Sequence, residues 1–286
     1  MMENILEIKN LCKKYNGFEL KNININLPKG MIMGLIGENG AGKTTTIKSI
    51  LNILNDYTGE IKIFNLDNKQ NDKQIKEDIA VVLDDSFLSE YLTPKDINKI
   101  MKNIYKNWDE NLYFKYIEKF NLPKDKISKE YSSGMKMKLK IATALSHKPK
   151  LLILDEPTSG LDPVARNEIL DIFKDFIQDK EHGILLSSHI TSDLEYLADY
   201  ITFISEGEII FTKAREELLG NYGIAKCSKG EFENLDKKDY IKYKQNRYEY
   251  EILVENKDEF KKKYGVSIID KPTIEEIMLI YIKGVK

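Results

Sequence analysis

The chain has 286 residues, 42% of them hydrophobic and 31% charged, with a formal net charge of −2. That length suits one large domain plus a smaller one, and the balanced charge excludes a global pull toward nucleic acid or anionic lipid. Cys12 and Cys227 are too few and too far apart for a disulfide framework or a metal-ligand spacing, which fits a reducing compartment.

No apolar run approaches the ~20 residues needed to cross a bilayer, and Met1-Met2-Glu3-Asn4 lacks the basic-then-apolar pattern of a signal peptide. In chain order, Ile23, Ile25 and Leu27 alternate with Asn22, Asn24 and Asn26, the period-two pattern of a half-buried strand. Pro28-Lys29-Gly30 is a turn. Met31–Ile36 reads as a short buried strand, Thr44–Leu54 as a helix and Glu60–Phe64 as another strand. From Ile97 to Phe120 aromatics and lysines fall at helical spacing, the pattern of a small helical insert. Leu151–Leu154 is wholly apolar, the look of a buried parallel strand. Asp162 is placed to cap a helix with Pro163 at its first position, and Ile169, Leu170, Phe173, Phe176 and Ile177 share one face of that helix. Ile184–Ser187 is a further buried strand. After about Thr212 the chain becomes charged and tyrosine-rich. There Tyr248, Tyr250, Ile252 and Val254 alternate like a strand, and Thr273–Ile282 reads as a helix. Strands alternating with helices predict an α/β fold with a mainly parallel sheet.

Gly37-Glu38-Asn39-Gly40-Ala41-Gly42-Lys43-Thr44 matches the Walker A phosphate-binding pattern in full. Glycines let the backbone curl so that successive N–H groups face phosphate oxygens, and the helix that follows adds its positive end. In that pattern Lys43 reaches the β- and γ-phosphates and the Thr44 hydroxyl ligates Mg²⁺. Further on, Asp155 and Glu156 stand just past the strand Leu151–Leu154, at the end of an open α/β sheet where ligands bind. Asp155 is suited to hold Mg²⁺, directly or through water, and Glu156 to polarise the attacking water.

Three more segments follow in order: Tyr131-Ser132-Ser133-Gly134-Met135, Ser159-Gly160-Leu161-Asp162 and Ser187-Ser188-His189. With the two motifs above, the stretch from about Ile5 to Thr212 resembles the nucleotide-binding subunits of ABC transporters. The resemblance implies a P-loop NTPase core with a mainly parallel sheet and an N-terminal antiparallel β subdomain. A helical insert, at about residues 85–145, would carry the signature loop. Residues 1–212 would form the ATPase domain and 213–286 a small α+β appendage. It implies that Tyr15 stacks on adenine and that residues 37–45, Thr45 included, hold the nucleotide. Ser132, Ser133 and Gly134 would bind the γ-phosphate held by an opposite subunit, and Asp162 would face across that dimer. His189 would contact the γ-phosphate and position Glu156, so that Glu156, His189 and Lys43 are the catalytic set. Asp84 stands where the family has a glutamine and would lie near nucleotide and metal.

Two departures stand out. The usual Leu-Ser-Gly-Gly-Gln signature has become Tyr131-Ser132-Ser133-Gly134-Met135, and the usual glutamine is Asp84, followed by Asp85. A carboxylate accepts from a metal-bound water but cannot donate as an amide does. The implied function is that of an Mg-ATP-hydrolysing subunit, dimerising with a second ATPase subunit of the same or another kind. It would drive a separately encoded permease, an exporter of the ABC-2 branch that includes antimicrobial-peptide resistance systems. It would work in the cytoplasm on the inner face of the membrane, with no nucleic-acid partner. The alternative is an ABC ATPase acting on ribosomes or DNA.

Overall fold

The structure, a computed structural model, describes residues 3–83, 89–247, 249–266 and 268–286. Asp84, Asp85 and Tyr248 lie outside the described residues.

Strands β1 (Asn4–Tyr15) and β2 (Phe18–Pro28) form a hairpin across Asn16-Gly17. Asn-Gly is the two-residue turn whose backbone matches strand twist, and Gly17 takes φ 85°. Strand β3 (Ile32–Ile36) enters a second sheet and helix α1 (Lys43–Ile50) follows it. The sequence pattern predicts a helix as far as Leu54. It stops sooner because Leu51 caps it and Asn52 turns left-handed at φ 54°, a conformation asparagine tolerates. Strands β4 (Thr58–Ile63) and β5 (Leu66–Asp67) return to the first sheet, which is antiparallel in the order β2-β1-β4-β5.

Helix α2 (Asp72–Asp78) leads into β6 (Ile79–Val82), and the insert follows as α3 (Pro94–Ile104), α4 (Glu110–Lys119) and α5 (Ser133–Leu145). Then come β7 (Leu151–Asp155), α6 (Pro163–Phe176), β8 (Gly183–Ser188), α7 (Thr191–Leu197), β9 (Tyr200–Ser205) and β10 (Glu208–Ala214). The second sheet runs β10-β9-β3-β8-β7-β6, parallel throughout except for β10 against β9. Strands β3, β7 and β8 are buried along their whole length, as strands covered on both faces must be.

Alternate residues of these strands serve different cores, because side chains switch faces at every step along a strand. Met33, Leu35, Leu151, Ile153 and Leu185 pack against the first sheet and Ile47 of α1. Ile32, Ile36, Leu152, Leu154, Ile184 and Leu186 pack against Leu139 of α5, Ile169, Leu170 and Phe173 of α6, and Leu194 of α7. The predicted face of α6 is thus its buried face, with Asp162 capping it through Oδ1, which accepts from the Val164 and Ala165 N–H groups. Burying each of Leu170 and Phe173 is worth about 1.5–3 kcal/mol relative to exposure.

The remainder comprises α8 (Arg215–Asn221), β11 (Gly223–Cys227), α9 (Lys229–Glu233), β12 (Lys242–Gln245), β13 (Tyr250–Val254), α10 (Lys257–Tyr264), β14 (Ile268–Asp270) and α11 (Ile274–Lys283). Its strands form a third, antiparallel sheet in the order β12-β13-β11-β14. The composition changes at Thr212, but β10 continues to Ala214. Ile274, Ile277 and Ile280 of α11 join the core shared by α6 and α7, so the C-terminal segment packs onto the cassette sheet.

Candidate functional site

Strand register builds the site. Ile36 of β3 is level with Ser188 of β8, and Asp155 of β7 is level with Ser187. One step beyond these strand ends come Gly37, His189 and Glu156. Since β8 lies between β3 and β7, three segments distant in sequence emerge side by side at one sheet edge.

Two glycines shape the loop from Gly37 to Gly42. A Cβ on Gly37 would stand 2.3 Å from the Ile204 carbonyl oxygen, so the loop hugs β9 there. Gly42 has φ 116° and would drive a Cβ to 2.5 Å from Leu20 Cδ2, a conformation and a space only glycine fits. Lys43 opens α1 and is buried; its Nζ donates to the Gly37 carbonyl at 2.7 Å and sits 3.7 Å from Glu156 Oε1. Thr44 Oγ1 donates to Asp155 Oδ2 at 2.9 Å, while the other Asp155 oxygen accepts from the Ser187 hydroxyl. Ala41 turns into the core.

Glu156 is a non-glycine residue at φ 53°, a left-handed conformation that persists only where surroundings impose it. Its N–H donates to the Ser187 carbonyl at 3.1 Å. Its Oε2 lies 2.6 Å from His189 Nδ1 and also accepts the His189 N–H. Its Oε1 is buried without a hydrogen-bond partner. The Lys43 ammonium at 3.7 Å offsets its charge but leaves its hydrogen-bond capacity unused, and a water is a donor of the right size to take it.

The cleft over this loop measures about 500 Å³ and is lined by Phe18, residues 38–40 and 42–45, Lys48, Leu83, Asp155 and Glu156. Among the described residues no group of three or more His, Cys, Asp or Glu is placed to hold a metal. A cation here would take Thr44 and Asp155 as oxygen ligands and the rest from phosphate and water, the habit of Mg²⁺. The residues present therefore fit a magnesium triphosphate.

The other predicted residues lie elsewhere. Tyr15 is half-exposed at the end of β1 with Lys13 Nζ 4.8 Å from its ring centre. Phe18, its partner across the hairpin, is the aromatic that lines the cleft. The Asn16-Gly17 turn was the sequence signal that would have placed Phe18 there. Ser132 caps α5, its Oγ accepting the Met135 N–H at 3.2 Å. Ser133 Oγ donates to the Gly160 carbonyl at 3.4 Å, and a Cβ on Gly134 would meet Ala165 at 3.2 Å. Ser132, Ser133 and Asp162 are exposed around the buried Gly134, and none of the four lines the phosphate cleft. The backbone N–H groups at the start of α6, that of Ala165 foremost, hold the Asp162 carboxyl below the usual carboxylate range. Asp84 lies outside the described residues. The roles of Asp193, Thr158 and Arg166 escaped sequence reasoning, because single hydroxyl and charged residues carry no local pattern; Ser187 stood in a recognised segment but without its bond to Asp155.

The family profile described as ABC transporter matches residues 20–159. The chain is 38% identical over 215 residues to the lantibiotic transport ATP-binding protein SrtF of Streptococcus pyogenes, which covers 73% of this chain and 90% of that protein. It is 34% identical over 213 residues to the bacitracin transport ATP-binding protein BcrA of Enterococcus faecalis, covering 73% of this chain and 69% of that one. A solved ATP-binding subunit of an ABC transporter superposes with a TM-score of 0.68 at 27% identity, over 75% of this chain and 91% of that one. With the phosphate loop, the acids and the histidine level at one sheet edge, this chain belongs to the ATP-binding, ATP-hydrolysing subunits of the ABC transporter family.

Proposed function

We propose that this chain closes on a second ATPase subunit around two Mg-ATP molecules and thereby drives a separately encoded membrane permease that moves peptide antibiotics out of the cell. The observation that carries this reading is the separation of its two half-sites. Ser132, Ser133, Gly134 and Asp162 are absent from the lining of the phosphate cleft at Lys43, which supports a second nucleotide brought to them by another subunit. In this reading the backbone N–H groups of residues 38–44 cradle the phosphates, Phe18 and Tyr15 flank the base, and Lys43 leaves the Gly37 carbonyl for the γ-phosphate. Thr44 and Asp155 would hold Mg²⁺, which would supply charge neutralisation on the phosphate oxygens. Once Lys43 has moved to the phosphate, Glu156 accepts a proton from water at Oε1, which makes no hydrogen bond in the fold, while His189 fixes the opposite oxygen.

No helix among the described residues is long and apolar enough to cross a membrane, so the span would come from the permease chain. A groove of about 560 Å³ between the segment after α1, α2, β6 and the insert has an apolar floor that includes Leu51, Ile53, Val81 and Met101 and a charged rim of Asp72, Lys73, Lys76 and Glu77, which suits an amphipathic helix of that partner. The peptide-antibiotic cargo is supported by the names of the bacitracin and lantibiotic relatives. With such a permease as partner, the chain works in the cytoplasm on the inner face of the membrane.

The test is Glu156→Gln in the full chain. With Mg-ATP it is expected to double in mass by light scattering while turnover falls about a hundredfold, the lower part of what a general base contributes. A Glu156→Gln variant that binds ATP yet stays monomeric at high concentration would overturn the sandwich.

A further inference from the structure

The C-terminal helix α11 stands directly beside the histidine of the ATP site. A cleft of about 430 Å³ has Gly37, Glu38 and His189–Ser192 on one side and Glu275, Met278, Leu279 and Ile282 of α11 on the other. The helix is fixed there by its buried stripe Ile274, Ile277 and Ile280. Tyr281 adds ring contacts to Phe203 of β9 and Phe211 of β10, at 6.1 and 5.2 Å between centroids.

One polar bond joins α11 to the element that follows His189. The first turn of a helix has N–H groups with no partner inside the helix. Thr273 and Glu276 satisfy some of them by a capping box. The N–H of Ile274 is instead accepted by Glu195 Oε1 of α7 at 2.7 Å, a carboxylate at the positive end of the helix dipole. Glu195 is itself held, its carbonyl accepting Arg215 Nη1 at 2.7 Å.

Two residues before Glu195 on the same helix, Asp193 ties α7 to the catalytic loops. Asp193, almost fully buried, accepts from Thr158 Oγ1 at 2.5 Å and from Arg166 Nε at 2.5 Å; Arg166 Nη2 also donates to Ser192 Oγ at 2.7 Å. Thr158 is two residues past Glu156, and Arg166 lies in the first turns of the helix that Asp162 caps. Helix α7 is therefore a short rod held through Asp193 by Thr158 and Arg166, next to the segments carrying Glu156 and Asp162, and through Glu195 by α11. His189 sits two residues before it.

We propose that the C-terminal segment sets the hydrolytic step of this ATPase by holding α7, with Glu195 as the positioning residue that fixes His189 through that helix. The proposal rests on the role given above to His189 at the γ-phosphate. Anything that shifts α11, such as a partner docking on the third sheet, would then change turnover without touching the nucleotide.

The experiment measures steady-state ATPase activity and fluorescent-nucleotide binding on the full chain for Glu195→Ala, Glu195→Gln and His189→Ala. Losing one charge-assisted hydrogen bond in Glu195→Ala is expected to lower kcat about tenfold. KM and nucleotide affinity should stay within about twofold, because the Lys43 loop is untouched. Glu195→Gln keeps an acceptor oxygen and should recover kcat to within about threefold of wild type. Should Glu195→Ala fail to fold, Leu279→Ala on the cleft wall is expected to show the same split, kcat falling and KM holding. An unchanged kcat in the variant that folds overturns the proposal, as does a parallel loss of kcat and affinity that glutamine does not rescue. If His189→Ala itself leaves kcat intact, the reading of the ATP site falls and this proposal with it; if only His189→Ala lowers kcat, this proposal falls alone.

Discussion

The phosphate cleft and the surface around Ser132 belong to one chain yet are built on opposite principles. In the cleft the functional groups are paired with one another across the fold, on a buried base of Lys43, Asp155 and Ser187: Lys43 with Gly37 and Glu156, Thr44 with Asp155, Asp155 with Ser187, Glu156 with His189. Around Ser132 and Asp162 the side chains are exposed, and their bonds are local helix caps. Buried polar groups require partners within the fold, whereas exposed caps cost little to present outward. The first region is organised by the chain itself, and the second presents two helix starts whose natural complement is an anion brought by another molecule.

Breaking the first region should have the largest effect. Lys43→Ala removes the one lysine ammonium among the described residues that is buried in the cleft, and turnover is expected to fall a hundredfold or more, about the effect of losing a preorganised charge-stabilising donor. Phosphate release and nucleotide titration both report it, and Mg-ATP affinity retained in this variant would deny the cleft its role. A smaller effect sharpens the contrast. Ser132→Ala loses a helix cap worth about 1 kcal/mol and should reduce turnover by about tenfold in the assembled state, somewhat below the loss of a buried electrostatic donor. Nucleotide binding by the isolated chain should not change. A drop in that affinity would mean the two regions are not separate.

The smallest predicted effect lies in neither region and calibrates the fold between them. His147 is buried beneath the insert, stacked on Tyr105 with centroids 3.9 Å apart and with Nε2 3.0 Å from the Ile79 carbonyl oxygen. Burial holds its pKa below the ordinary 6.5. The unfolded chain therefore takes up a proton near pH 6.5 that the folded chain refuses, and stability falls as pH drops through that value. His147→Gln cannot titrate, so its Tm should decline less than that of wild type between about pH 7.5 and 5.5. Equal slopes would show that this histidine charges freely in the folded state.

Much of the site was legible before the fold. The glycine loop, the acids after Leu151–Leu154 and the Asp162-Pro163 helix start each depend on residues close in sequence, and local backbone chemistry writes them as motifs. The aromatic at the cleft was half legible: Tyr15 drew attention, while the hairpin turn beside it places Phe18 on the cleft. The Thr158–Asp193–Arg166 cluster was invisible, since Asp193 stands 35 residues from Thr158 and 27 from Arg166 and none of the three is unusual in its own neighbourhood.

Residue order along the chain is enough to define the chemistry available to this protein, because a loop that must curl around phosphate and a helix that must start at a given carboxylate are constrained by their own backbones. Where that chemistry meets is a property of the packed fold. Strand register, set by which apolar residues face which core, brings Gly37, Glu156 and His189 to within one residue of level. The packing of Ile274, Ile277 and Ile280 into the shared core brings a helix from the far end of the chain against the histidine.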